Sequence, residues 1–339
     1  MIQLLIENYY TLNNLMEVVM KTLYLVVPCY NEEECLTDSS VVLKEKVNQL
    51  IEKKLISENS RILFVNDGSK DKTWEVIDKL HKEDKIFQGV CLSRNRGHQN
   101  ACLAGLDYAK DYADMLITID ADLQDDPNTI EDMVKKYLNG AEVVYGVRSK
   151  RKKDSFFKRF TAESYYKLLQ KMGVDIIYNH ADYRLMSKRV VTELLKFPEV
   201  NLFLRGMVPQ IGFKSDVVTY ERLERTKGES KYPLKKMLAL AWNGITSFSV
   251  KPLKMILNFG IFLTVISVLC AIVFTVLFLT KVMNYEFGAY IIMTIGLATG
   301  ILLIGMGVLG EYIGKILQEV KARPRYIISR VLNDEDNND

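Results

Sequence analysis

Between Thr22 and Gly146, short apolar runs alternate with longer stretches whose apolar residues recur every three or four positions. The runs predict strands at Thr22–Val27, Arg61–Val65, Gly89–Leu92, Met115–Ile119 and Glu142–Gly146. The periodic stretches predict helices near Leu36–Lys53, Thr73–Lys82, Gln99–Asp111 and Thr129–Leu138. Such alternation without an internal repeat implies an α/β domain, a mostly parallel sheet with helices on both faces. Ligands of such sheets sit beyond the carboxyl ends of the strands, so the residues following each strand carry the functional information.

A second pattern begins downstream. Ile256 to Leu279 is an uncharged run of about 24 residues, long enough as a helix to cross a hydrocarbon core of roughly 30 Å. Phe287 to Leu309 is a second uncharged run, ending just before Glu311. Both are expected to be transmembrane helices, and their length and lack of charge disfavour a buried hairpin of a soluble protein. Lys251 and Lys254 precede the pair, and Lys315, Lys321, Arg323, Arg325 and Arg330 follow it, which places both flanks in the cytoplasm. Leu234, Met237, Leu238 and Trp242 lie near one helical face beside Lys235 and Lys236, the pattern of an interfacial helix on anionic lipid. Gly300, Gly305, Gly307, Gly310 and Gly314 suit close helix packing, including between protomers of a homo-oligomer.

The composition of the 339 residues, 48% hydrophobic and 26% charged, is the average of these two unlike regions. A formal charge of only +3 argues against a nucleic-acid partner held by bulk electrostatics. The five cysteines are odd in number and lack CxxC spacing, so a disulfide framework or zinc site is not expected. The expected organisation is an N-terminal extension (1–20), a catalytic domain (21–231), an interfacial region (232–252), a two-helix membrane hairpin (253–314) and a basic segment with an acidic, disordered tail (315–339). The N-terminal stretch lacks a basic n-region and is not read as a signal peptide. Met20-Lys21-Thr22 leads straight into the first strand, so 1–19 is expected to be dispensable or to reflect an upstream start codon.

Three polar clusters follow successive strands: Val27-Pro28-Cys29-Tyr30-Asn31-Glu32-Glu33, Asn66-Asp67-Gly68-Ser69-Lys70-Asp71, and Asp120-Ala121-Asp122-Leu123-Gln124-Asp125-Asp126-Pro127. Each alone is ordinary turn chemistry, but parallel strands bring all three to one edge. Asp120 and Asp122, with the Gln124 carbonyl nearby, offer hard oxygen ligands to Mg²⁺ or Mn²⁺ while leaving positions for phosphate oxygens. A cation there would neutralise a diphosphate leaving group.

These clusters, with Ser93-Arg-Asn-Arg-Gly-His-Gln-Asn100 and Lys227-Gly-Glu-Ser-Lys-Tyr232, resemble family 2 glycosyltransferases of GT-A fold. Within them the chain looks most like the polyprenyl-phosphate glycosyltransferases related to dolichol-phosphate mannose synthase, over about residues 21–325. The resemblance implies that Pro28, Tyr30, Glu32 and Asp67 hold the base and ribose of a nucleotide sugar, and that Asp120, Asp122 and Gln124 hold the metal and diphosphate. It implies that Arg225, Ser230 and Lys231 belong to a loop closing over the donor phosphates. Asp182, in His180-Ala-Asp-Tyr-Arg-Leu-Met186, matches the candidate catalytic base. A phosphomonoester with a second pKa of about 6 is already largely ionised near neutral pH, so orientation of donor or Arg184 is the alternative role, and a structural ion pair with Arg184 the plain one.

Arg148 matches the phosphate-binding arginine of a Gly-Ser-Arg motif, with Val147 replacing the serine, and Arg159 in the following basic run is a second candidate for the acceptor phosphate. Arg96 and Asp125-Asp126-Pro127 depart from the family pattern without removing a metal-binding oxygen. His98 is expected to be a turn histidine satisfied by backbone, with contact to ligand as the alternative. The implied reaction is inverting transfer of one sugar, from UDP-glucose or a relative, to a polyprenyl phosphate such as undecaprenyl phosphate, giving a β-linked product at a bacterial inner membrane. A processive polysaccharide synthase is disfavoured because Trp74 and Trp242 lie in no Gln-x-x-Arg-Trp context. A non-catalytic nucleotide-sugar-binding protein is disfavoured by the complete set of Asp120, Asp122 and Asp182.

Overall fold

The computed structural model describes residues 20–149, 180–200, 203–221, 251–280 and 288–333. They divide between two compact units, one carrying the sheet and one carrying the long apolar helices.

In the first unit the five expected strands form as β1 (Leu23–Cys29), β2 (Arg61–Asn66), β3 (Phe87–Leu92), β4 (Met115–Thr118) and β5 (Val143–Arg148). The four expected helices form as α1 (Leu36–Glu52), α2 (Thr73–Glu83), α3 (His98–Ala109) and α4 (Thr129–Leu138). Every residue of β1 is buried, as expected of a central parallel strand covered on both faces. One face carries Leu25, Val27, Ile62, Phe64 and Ile117, packed with Leu43 and Val47 of α1, Ile77 of α2 and Met133 of α4. On the other face α3 approaches so closely that a Cβ on Gly105 would stand 2.5 Å from Val26 Cγ1 and 2.6 Å from Val65 Cγ2.

Further elements complete the sheet: β6 (His180–Ser187), α5 (Lys188–Leu195), α6 (Leu204–Gln210), β7 (Ser215–Tyr220) and β8 (Ile328–Leu332). The strand order is β7-β5-β6-β4-β1-β2-β3-β8. Strands β4, β1, β2 and β3 run parallel, β6 lies antiparallel between β4 and β5, and β7 pairs parallel with β5. β8 lies within the stretch expected to be a basic segment and tail, and it covers the free edge of β3 in antiparallel pairing. Tyr326 supports that return by donating its hydroxyl to Asp107 Oδ2 at 2.6 Å.

The register fixes the site. Val26 aligns with both Leu63 and Thr118, so β1, β2 and β4 end on one edge. Thr118 also aligns with Arg184 of the antiparallel β6. Two residues after Thr118 and two before Arg184, Asp120 and Asp182 therefore come to the same edge.

In the second unit α7 (Lys251–Leu279) and α8 (Gly288–Val320) are continuous helices over the two uncharged runs. Leu297–Val320 is long and apolar enough to cross a membrane, and Pro252–Leu263 is a shorter apolar stretch. Two complete spans are thus not established among the described residues. The interfacial pattern at 234–242 lies outside the described residues.

Candidate active site

The loops after β1 and β2 are laced together by polar side chains. Asn31, at φ 55°, donates its N–H to Ser69 Oγ at 3.0 Å and accepts from Lys70 N–H at 2.9 Å. Glu32 donates its N–H to Thr73 Oγ1 at 2.9 Å, and its carboxylate accepts from the Cys35 thiol at 2.9 Å. Tyr30 stands exposed beside them, whereas Pro28 is buried within β1.

Asp67 is almost fully buried. Its Oδ1 accepts from Arg96 N–H at 2.6 Å and its Oδ2 from Gly97 N–H at 2.8 Å. Gly68, at φ 62°, makes this approach feasible, since a Cβ there would stand 2.5 Å from the Arg94 carbonyl carbon. Burial pushes the Asp67 carboxyl up despite those two N–H donors. The residue expected to hold the nucleoside thus also shapes the 94–97 loop leading into α3.

Beyond β4, Asp120 is surrounded by protein on most sides, yet its side chain remains 41% exposed. Its Oδ1 lies 3.6 Å from His98 Nε2 at the start of α3. Burial first, and then the neighbouring carboxylates of Asp125, Asp182 and Asp122, raise Asp120 to about 6 against the opposing pull of His98. His98 is itself raised to about 10, first by the Cys102 sulfur in contact with it and then by Asp120 and Asp182. The expected turn histidine therefore faces the acidic edge.

Leu123 takes a left-handed conformation at φ 49°, and Gln124 N–H donates to Asp122 Oδ1 at 3.2 Å. Among the described residues no three His, Cys, Asp or Glu side chains converge on a ready metal cage. Asp120, Asp122 and the Gln124 amide are hard oxygen donors of the kind a magnesium-like ion takes, which would leave the rest of its shell to substrate phosphates and water. The crowding that raises Asp120 is relieved by such a cation.

The other part of the edge is built from ion pairs. Asp182 Oδ1 receives Arg184 Nη2 at 2.6 Å, and its Oδ2 receives Arg205 Nη2 at 2.8 Å. Arg205 Nε adds contacts of 3.2 Å to both oxygens. Burial works to raise the Asp182 carboxyl, but Arg205 and Arg184 outweigh it and hold it well below the usual carboxylate range. A carboxylate so held is a weak proton acceptor. Buried Asp125 likewise receives Arg148 Nη2 at 2.9 Å and the hydroxyl of Tyr220. Arg148, expected at an acceptor phosphate, is thus engaged with Asp125 at the ends of β5 and β7.

The structure brings Asp120 and Asp182 together, with Asp122 close behind. Arg159, Arg225, Ser230 and Lys231 lie outside the described residues. Arg205 and Tyr220 were not singled out by sequence, and Asp125 figured there only within the third cluster, as a departure from the family pattern. An arginine within the apolar Phe203-Leu-Arg-Gly-Met207 was the available signal for the first.

The sheet is GT-A-like, and its β1, β2 and β4 ends converge on one acidic edge. Residues 24–195 match the model of Glycosyl transferase family 2, and the chain belongs to that family. It is 51% identical over 308 residues to "Uncharacterized glycosyltransferase YkoT" of Bacillus subtilis (strain 168), covering 90% of each chain. It is 42% identical over 310 residues to "SfII prophage-derived bactoprenol glucosyl transferase" of Shigella flexneri, covering 90% of this chain and 97% of that one. With "Prophage bactoprenol glucosyl transferase homolog" of Escherichia coli (strain K12) it shares 40% identity over 311 residues, covering 91% and 98%.

Proposed function

We propose that this protein transfers one sugar, with inversion, from a nucleotide diphosphate sugar to the phosphate of a membrane polyprenol. UDP-glucose or a close relative is the donor, undecaprenyl phosphate the acceptor, and the product is β-linked. The observation that carries this reading is the extent of likeness to the Shigella flexneri bactoprenol glucosyl transferase. The tenth of this chain left unmatched is too short to omit both α7 and α8, so the likeness reaches beyond the sheet-bearing unit.

In this reading the loops after β1 and β2 seat the nucleoside through Pro28, Tyr30, Glu32 and Asp67. Asp120, Asp122 and Gln124 hold Mg²⁺ or Mn²⁺, which when bound supplies the charge that lets a diphosphate depart. Asp182 orients guanidinium groups and the donor rather than taking a proton, because the acceptor phosphate arrives largely ionised. Arg148 and Arg159 serve the acceptor phosphate, and Arg225, Ser230 and Lys231 close over the donor. The two apolar helices cross the bacterial inner membrane, with the catalytic domain and both termini on the cytoplasmic side.

The test is transfer by detergent-purified full-length protein, with Mg²⁺ or Mn²⁺, radiolabelled UDP- and GDP-sugars and undecaprenyl phosphate, followed by organic extraction. Label entering the lipid phase from one donor is expected. Nucleotide-sugar binding without lipid label from any donor would overturn the reaction class.

A further inference from the structure

Asp67 spends both of its oxygens on the chain. Oδ1 takes the Arg96 N–H at 2.6 Å and Oδ2 the Gly97 N–H at 2.8 Å, and the residue has almost no surface left. Those bonds fix the course of the loop between β3 and α3. The loop is held to Asp67 at the end of β2, and two residues after Arg96 it brings His98 Nε2 to 3.6 Å from Asp120 beyond β4. In the sheet order β1 lies between β2 and β4, so the loop spans two strand spacings, about 10 Å, of the edge. A nucleotide whose diphosphate sits at Asp120 and Asp122 has its base toward the Asp67 end, where the loop presents Arg96.

The Arg96 side chain is half-buried and incompletely used by the chain. Its Nε is closed to solvent without a hydrogen-bond partner. Its charge favours ionisation of Asp67, yet among the described residues no ion pair joins the two side chains. An enclosed donor without an acceptor is costly to keep, and an acceptor from outside the chain would satisfy it. Arg96 is also one of the positions at which the chain departs from the family pattern.

We infer that Arg96 is a specificity-determining residue of the donor site and gives its guanidinium N–H groups to a carbonyl oxygen of the nucleobase. A guanidinium offers donors and no acceptor. It therefore suits uracil or guanine, whose edges carry a carbonyl at O4 or O6, and opposes adenine, which carries an amino donor there. A site built around such a donor discriminates strongly, because the wrong base leaves the donor unpaired. The inference rests on the nucleotide-sugar reading and names the class of base.

The experiment titrates full-length protein in detergent, with Mg²⁺ present, against UDP, GDP and ADP, the weaker ligands by competition. It compares wild type, Arg96→Met and Arg96→Lys, with melting temperatures measured alongside. Wild type should prefer UDP or GDP to ADP. Losing a charged donor to the carbonyl should weaken the preferred nucleotide about 10- to 100-fold in Arg96→Met, with ADP little changed, so that discrimination collapses. Arg96→Lys should recover part of it, because one ammonium replaces the fork.

Unchanged binding of the preferred nucleotide in Arg96→Met would overturn the inference, as would a wild type without preference among the three. An equal loss for ADP would also overturn it, since the contact would then be to the shared phosphates or the effect would lie in the fold of the loop. A wild type that binds the nucleotide but transfers no sugar would overturn the transfer reading and leave this inference standing. One that binds no nucleotide would overturn both.

Discussion

The two parts of the acidic edge handle charge in opposite ways. Asp120 is crowded by other carboxylates and remains partly open to solvent, with its carboxyl raised to about 6. Asp125 and Asp182 are more deeply enclosed, and each is matched by arginine, Arg148 for one and Arg184 with Arg205 for the other. The first part is suited to a cation from outside. The second already holds its cations. A site for metal-assisted departure of a diphosphate needs both kinds of charge.

The sharpest way to break this contrast is Asp122→Ala. On the metal reading, transfer to lipid should fall by about a hundredfold or more, because charge stabilisation on the leaving group is lost. The folded protein should melt near the wild-type temperature. Unchanged turnover across a Mn²⁺ titration would remove Asp122 from the metal site.

On the other side, Asp125→Ala should act chiefly on stability. It strands the mostly buried Arg148 without its carboxylate, a change that costs about 3 kcal/mol for an enclosed pair. Chemical denaturation should show the loss in the absence of any ligand. A variant as stable as wild type would mean that Arg148 is neutralised by other means.

Asp67→Asn is expected to be milder. Its two oxygens accept the Arg96 and Gly97 N–H groups, and an amide keeps one acceptor while turning a donor toward the other N–H. The loss should be about 1–2 kcal/mol, with loosening confined to the 94–97 loop. Hydrogen exchange of those amides checks it, and unchanged protection would show that the loop is held without Asp67.

The first part of the edge was legible because it is local. Each polar cluster directly follows an apolar run, so reading the strands located the clusters, and their convergence followed from parallel pairing. The second part was not legible in the same way. β6 places Arg184 in the interior, and a charged residue at a buried position masks the two-residue alternation by which a strand is recognised. Asp182 was singled out as a candidate base, with an ion pair to Arg184 as the plain alternative, but Arg205 lies 23 residues further on and its approach depends on how α6 returns to β6. Asp125 and Tyr220 are 95 residues apart in sequence. β8 was missed for a related reason: its pairing edge belongs to β3, more than two hundred residues earlier, and no turn chemistry joins them.

The smallest effect concerns pH, and it separates the two parts by sign. The Asp120 carboxyl is raised from 3.8 to about 6, so between those values the folded metal-free protein binds more protons at this site than the unfolded chain. Its contribution to stability should therefore decline as pH rises through that window. Asp182, held well below the ordinary range, should contribute in the opposite direction, losing its stabilisation only as pH falls below the usual carboxylate value. Solvent access screens Asp120, so the decline should be modest. Saturating Mg²⁺ or Mn²⁺ should abolish it, because the cation replaces the proton and binds more tightly as pH rises. Melting curves from pH 4 to pH 7, with chelator and with metal, provide the measurement. If the curves shift in parallel, with the same pH dependence in both, Asp120 is not the carboxylate that meets the cation.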